Sequence, residues 1–137
     1  MPLHLIKLCV GCDTVEELLK WRREMFSPDD RWILRTKQMP KRSMELIDGG
    51  SLYRVYKGFI LSRQRILEID AVGVGGARHC EMRLDTDVIL TVPAPRRAFQ
   101  GWRYLNGNEA PPDLAAPDQV NVVPPELARQ LRELGAW

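Results

Sequence analysis

Gly49-Gly50-Ser51-Leu52-Tyr53-Arg54-Val55-Tyr56-Lys57-Gly58-Phe59-Ile60-Leu61-Ser62-Arg63-Gln64-Arg65-Ile66-Leu67 is the stretch on which the fold turns. Its aromatic and β-branched residues, bounded by glycines, predict two strands joined at Lys57-Gly58. In the second strand Phe59, Leu61, Arg63, Arg65, Leu67 and Ile69 have one parity, and Ile60, Ser62, Gln64, Ile66 and Glu68 the other. Two arginines therefore share a face with four apolar residues, unless a bulge shifts the register. Such a face suits the lip of a core or the mouth of a barrel, so the hairpin is both scaffold and candidate site.

Upstream, Leu3 to Val10 is apolar at both parities apart from His4 and Lys7, the pattern of a short central strand buried on both faces. Thr14-Val15-Glu16-Glu17 is a capping box that opens a helix running to about Met25 or Phe26, with Val15, Leu18, Leu19 and Trp21 as its apolar positions. Ser27-Pro28-Asp29-Asp30 ends it. Trp32 to Thr36 reads as a second strand, and a short helix runs from Pro40 to about Ile47, with Gly49 at its C-terminal cap. Downstream, Gly73 to Gly76 is a loop, Cys80, Met82 and Leu84 alternate with His79, Glu81 and Arg83 in a half-buried strand, and Asp85-Thr86-Asp87 turns the chain into a strand over Val88 to Val92 that Pro93 and Pro95 terminate. A short extended segment covers Phe99 to Leu105. Residues 106–123 read as a long surface connection, and residues 124–135 as a C-terminal helix with Leu127, Leu131 and Leu134 as its stripe.

The chain has 137 residues, 45% hydrophobic and 28% charged, which predicts one globular domain over residues 1–137. There is no run of about 18 apolar residues, and the N-terminus lacks the basic-then-apolar order of a secretory signal. Three cysteines cannot all pair within the chain, so a cytoplasmic, reducing setting is expected. The net charge of +2 implies little by itself, but between Arg31 and Arg65 nine cations face only Glu45 and Asp48.

Cys9-Val10-Gly11-Cys12 is a CxxC between a strand and a helix. In a thioredoxin-like site the thiols sit at the helix N-terminus; here the cap, Asp13 or Thr14, follows the second cysteine. A zinc site on Cys9 and Cys12 needs two further ligands, for which only His4, His79 and Cys80 are candidates. The main reading is of small buried thiols that end a strand at a glycine turn, and zinc is the minor one. His79 and Cys80, adjacent on a strand, point to opposite faces and form no nucleophile-base pair. Gly73 to Gly76 lacks the lysine and following helix of a P-loop. Asp85 and Asp87 read as a solvated turn rather than paired acids.

The cations carry more information. Lys41, Arg42, Lys57, Arg63 and Arg65 come from a helix start, a hairpin tip and a strand, and Arg96, Arg97 and Arg103 interleave with Phe99, Trp102 and Tyr104. Cations that follow phosphates beside rings that stack on bases suit single-stranded nucleic acid. The competing reading pairs the arginines with surface acids and packs Phe99 and Trp102 in the core.

At His4-Leu5-Ile6-Lys7-Leu8-Cys9-Val10-Gly11-Cys12, Pro40-Lys41-Arg42, Gly49-Gly50-Ser51-Leu52-Tyr53, Lys57-Gly58, Arg63-Gln64 and Phe99-Gln100-Gly101-Trp102-Arg103-Tyr104-Leu105 the sequence resembles a small alphaproteobacterial family known as a domain of unknown function. That resemblance spans nearly the whole chain and implies no activity. In element order the short helix, Gly-Gly step and basic hairpin also resemble the pseudo-barrel of PUA-like domains, including the ASCH and EVE branches, which implies binding of RNA or a modified base.

The expectation is an α+β domain: a curved antiparallel or mixed sheet of about five to seven strands with N-terminal, short middle and C-terminal helices. Its expected role is to bind RNA or a modified nucleotide, with no cofactor. Lys41, Arg42, Arg63 and Arg65 would hold phosphate or a base edge, Tyr53 or Trp102 would stack, Gln64 or Gln100 would read polar groups, and Lys57 and Arg103 would extend the basic groove. The alternatives are a small hydrolase or nucleotide-processing enzyme in the same groove, for which Glu68, Asp70 and His79 are the available acid-base groups, and a protein-protein adaptor.

Overall fold

The computed structural model describes residues 2–114. The expected C-terminal helix and the end of the long connection lie outside the described residues. Hairpin strands β3 (Ser51–Tyr56) and β4 (Phe59–Val72) meet at a turn in which Lys57 and Gly58 have φ of 45° and 87°. Two positive φ values give the turn a twist that matches the strands. Every residue of β3 is buried, because β4 covers one edge and the parallel strand β1 (His4–Leu8) the other. Strand β7 (Trp102–Leu105) pairs antiparallel with β1 and ends this side of the sheet.

Strand β4 is long enough to serve two neighbours in succession. Its first half pairs with β6 (Ile89–Pro95) and its second half with β5 (His79–Leu84), beyond which lies β2 (Trp32–Thr36). The Ile66 amide donates to Gly50 O while Arg65 O accepts from the Asp85 amide. Successive residues face opposite edges of a strand, so β5 and β6 follow one another along the edge of β4 away from β3. The strand order is β2-β5-β4-β3-β1-β7 with β6 on β4, a mixed seven-stranded sheet. Its ends, β2 and β7, do not pair, so the closed pseudo-barrel implied by the PUA-like resemblance is not formed by the described residues. The register shifts, at Leu61 and between Ile66 and Glu68 along β4, bend the sheet without closing it.

One of those shifts corrects the parity count. Val55 pairs with Ile60 but Arg54 pairs with Ser62, which leaves Leu61 as the extra residue of a bulge. Arg63 and Arg65 still share a face, but it is that of Tyr53, Val55 and Ile60. Phe59 and Leu61 pack on the other side. The expected strand end at Pro93 is also corrected: β6 continues to Pro95. Along its outer edge it is met by an irregular segment, with Val92 N donating to Pro112 O and Leu114 N to Leu90 O.

Helix α1 (Val15–Met25) starts at Thr14, whose Oγ1 accepts from Glu17 N. The Glu17 carboxylate reaches back to the Asp13 amide, one residue before the cap. Only Val15 and Leu18 of this helix are buried, while Trp21 and Met25 stay exposed. Helix α2 (Ser43–Ile47) buries Leu46. The inner face of the sheet packs against both helices through Leu5, Leu52, Tyr56, Ile66, Met82 and Leu84. The outer face carries a smaller core of Ile6, Tyr53, Val55, Ile60 and Leu105, covered by Phe99 and Ala110. Among the described residues no helix is long and apolar enough to cross a membrane.

Candidate functional site

Cross-strand partners share a face, so the sheet divides the residues expected to form one groove. Trp102 pairs with Lys7 on the inner face, and Arg103 pairs with Ile6 on the outer. On the inner side Trp102 packs edge-on against Tyr104, and its indole donates to Gln38 O at 2.9 Å. The Tyr104 hydroxyl accepts from the Arg42 amide, the Arg42 guanidinium lies 5.6 Å from the Tyr104 ring, and Arg42 is ion-paired with Glu45. Arg42 and Trp102 are thus brought together, with the exposed Lys41 beside them. On the outer side Arg103 covers the Phe99 ring at 4.8 Å. Arg63 is clamped by both Asp113 oxygens, at 2.7 and 2.8 Å, and also donates to Ser51 Oγ. Arg65 lines a surface depression with Asp85 and Asp87. Lys57 pairs with Asp13 at 3.6 Å. Tyr53 and Gln64 are buried, 4% and 0% exposed, and Gln100 is exposed. No single groove collects these residues.

What the fold collects instead is a polar cluster on the inner face around a residue the sequence reading passed over. Arg54 is 7% exposed. Its Nε and Nη2 donate to Gln64 Oε1 at 3.2 and 2.8 Å, and the Gln64 amide in turn donates to Asp85 O at 2.9 Å. The guanidinium lies 5.7 Å from the Trp32 ring, and its charge acts on the Cys9 thiol. Next to it Tyr56 Oη and Ser62 Oγ share a hydrogen bond of 2.7 Å. Burial pushes the Cys9 thiol up to about 12, against the pull of Arg54, and raises the Tyr56 phenol as well. Both groups are neutral, which leaves the guanidinium as the formal charge of the cluster. Among the described residues no carboxylate pairs with it.

Arg54, Cys9 and Trp32 of this cluster line the floor of a cleft of about 560 Å³ between the Leu8 to Cys12 turn, α1 and β2. Val10, Trp21, Met25 and Ile33 form an exposed apolar rim, and the charged edge holds Lys7 and Lys20 beside Glu17 and Glu24, with Lys20 4.0 Å from Glu24. The sequence did hold a sign of Arg54. It is the one cation inside Leu52 to Tyr56, at the parity of Leu52 and Tyr56, where a solvated residue has no place.

A second cluster lies on the outer face. His4 is 6% exposed, and its Nδ1 accepts from Ser51 N at 3.0 Å, with Tyr53 packed edge-on at 5.0 Å. Burial, aided by the charge of Arg63, holds the His4 pKa below the ordinary 6.5. Asp113, bonded by Arg63, has its carboxyl held below its ordinary value. For a histidine whose folded pKa is lowered, the unfolded chain takes up the proton first. Stability is therefore complete above pH 6.5 and declines as the pH falls towards the folded value. His79 works in the opposite sense, because hydrogen bonds to Ala77 O and Glu81 raise its pKa. The comparison that isolates His4 is with His4→Asn, whose side-chain oxygen can still accept from Ser51 N. Urea unfolding at pH 7.5 and 5 should show a steeper loss in the parent chain than in the variant; equal losses would remove His4 as the cause.

Cys9 and Cys12 meet no third ligand: His4 is on the outer face, His79 bonds Glu81, and Cys80 is buried on β5. Among the described residues no group of three potential metal ligands occurs.

Fold and site define a mixed-sheet α+β domain with a buried arginine under an apolar cleft. The profile of a family described as "Protein of unknown function (DUF1489)" matches residues 5–137, and the chain belongs to that family. Neither the curated proteins nor the solved structures contain a match.

Proposed function

We propose that the protein is a nucleotide-binding module that takes a free nucleotide, or one nucleotide of a single-stranded RNA, into the cleft above Arg54. The observation that carries this reading is the buried guanidinium itself. Its hydrogen-bond partner is a neutral amide oxygen, the thiol beside it is neutral, and among the described residues no carboxylate pairs with it. Burying a charge without a counter-charge is costly. A ligand that brings a phosphate or an electron-rich base edge supplies what the protein leaves out. The cleft volume is within the usual range for small-ligand sites of about 300–1,000 Å³. Trp21, 43% exposed, offers a ring for stacking at the rim, and Lys7 suits a phosphate at the entrance.

Titration of nucleoside monophosphates and diphosphates and of a short labelled single-stranded RNA, followed by tryptophan fluorescence and anisotropy, tests this. Stacking on an aromatic ring contributes about 1–3 kcal/mol per base, so Trp21→Ala should weaken binding at least about fivefold. Arg54→Gln should weaken it further, and affinity should fall steeply with salt. Trp21 lies outside the core, so its variant keeps the test valid if Arg54→Gln unfolds. Binding that is indifferent to both substitutions, or no binding by any of these probes, would overturn the proposal.

A further inference from the structure

Cys9 and Cys12 flank the turn residues Val10 and Gly11, the latter at φ 82°. A β-turn keeps its end Cα atoms within about 7 Å, and disulfides span Cα separations of about 4.4–6.8 Å. The two thiols are close enough to influence each other's charge. Their environments differ in a useful way: Cys12 is half-buried on the cleft wall, whereas Cys9 is 7% exposed behind it, against Arg54. Gly11 has open space around its Cα, so the turn has room to tighten.

We propose that Cys9 and Cys12 are a redox-active dithiol, oxidised to an intramolecular disulfide by exchange with a small disulfide substrate that enters the cleft. The Cys12 thiolate attacks one sulfur of that disulfide, releases the first substrate thiolate, and is left in a mixed disulfide. Cys9 then loses its proton, and its thiolate attacks Cys12 Sγ and expels the second substrate thiolate. Two protein thiols are oxidised, one disulfide is reduced, and the two protons end on the two released thiols. Arg54 is a positioning residue in this scheme. Its guanidinium, whose charge acts on Cys9, stabilises the thiolate of the second step, while burial keeps Cys9 protonated and out of reach of the first. The readout involves no nucleotide, so this proposal and the binding reading stand or fall separately.

The test equilibrates the full chain with mixtures of reduced and oxidised glutathione, quenches with acid, alkylates in denaturant and weighs the products. The chain has three free cysteines. Expected is the loss of two alkylatable thiols without a retained glutathione adduct, a linked peptide pair joining Cys9 to Cys12, and a reduced Cys80. Cys9→Ser should accumulate a glutathione adduct on Cys12, Cys12→Ser should leave Cys9 unreacted, and Arg54→Lys should form the disulfide faster than Arg54→Gln. Retention of all three thiols in the parent chain across the range, or a lasting adduct with no internal disulfide, overturns the proposal.

Discussion

Gln64→Leu is expected to lower the unfolding free energy by about 3 kcal/mol or more, far beyond what an ordinary surface substitution does. The change keeps roughly the volume of the side chain and removes only its amide. What it leaves behind is the Arg54 guanidinium, deprived of the oxygen that receives its Nε and Nη2 donors, in an interior where Tyr56 and Cys9 are neutral. Asp85 O also loses its donor. Removing one partner of a buried pair costs more than removing both, because the survivor keeps its desolvation penalty. The double variant Arg54→Met with Gln64→Leu should therefore be more stable than Gln64→Leu alone and recover much of the loss. Urea unfolding of the four members of this cycle measures the coupling. A Gln64→Leu chain as stable as the parent would show that Arg54 does not depend on this amide, and the account of the cluster would fail.

The same cycle separates stability from function. If the site binds an anion, the parent chain should gain stability from the ligand and the double variant should not, because only a chain that binds in the folded state is stabilised by mass action. The arginine is then a group whose counter-charge comes with the ligand. The cost of keeping it buried is partly offset by Gln64 until that ligand arrives.

Local rules made the hairpin legible. Lys57-Gly58 fell at its turn, Thr14 capped the first helix, and the alternation of Cys80, Met82 and Leu84 marked the buried face of β5. The faces of β4 were not legible, because the bulge at Leu61 is a property of pairing with β3: Tyr56 Oη reaches Ser62 Oγ, and nothing within residues 59–69 records that contact. The candidate site failed to emerge for a related reason. The sequence shows how many arginines there are but not which acids meet them, and Asp113, fifty positions from Arg63, ties it down through a chain return that no local pattern announces. Arg54 was hidden differently. A cation in a strand reads as solvated unless both neighbouring strands are known, and here β1 and β4 enclose it from either side.

Gly50→Ala should be the most damaging single-methyl change in the described chain, with a loss of about 4 kcal/mol or more and little folded protein recovered. A Cβ at Gly50 would stand 2.2 Å from Leu3 O and 2.3 Å from Leu46 O, and both are backbone atoms that cannot rotate away. Relief requires β1, α2 or β3 to move. The Gly50 amide already donates to Leu46 O and the Ile66 amide to Gly50 O, so any shift breaks the joint between α2, β3 and β4 at once. It also pulls at the parallel pairing of Leu5 with Leu52, on which the floor of the cleft rests. The adjacent residue is the control. Gly49 has φ 88°, but the nearest atom to its added methyl is Pro2 Cβ at 3.8 Å, so Gly49→Ala meets only the left-handed backbone cost of about 1–2 kcal/mol. Soluble yield and urea midpoints of the two variants decide the matter. If they fall equally, the glycine pair serves only as a flexible turn; a much larger loss at Gly50 identifies the close passage of three backbones as the constraint that fixes this sheet.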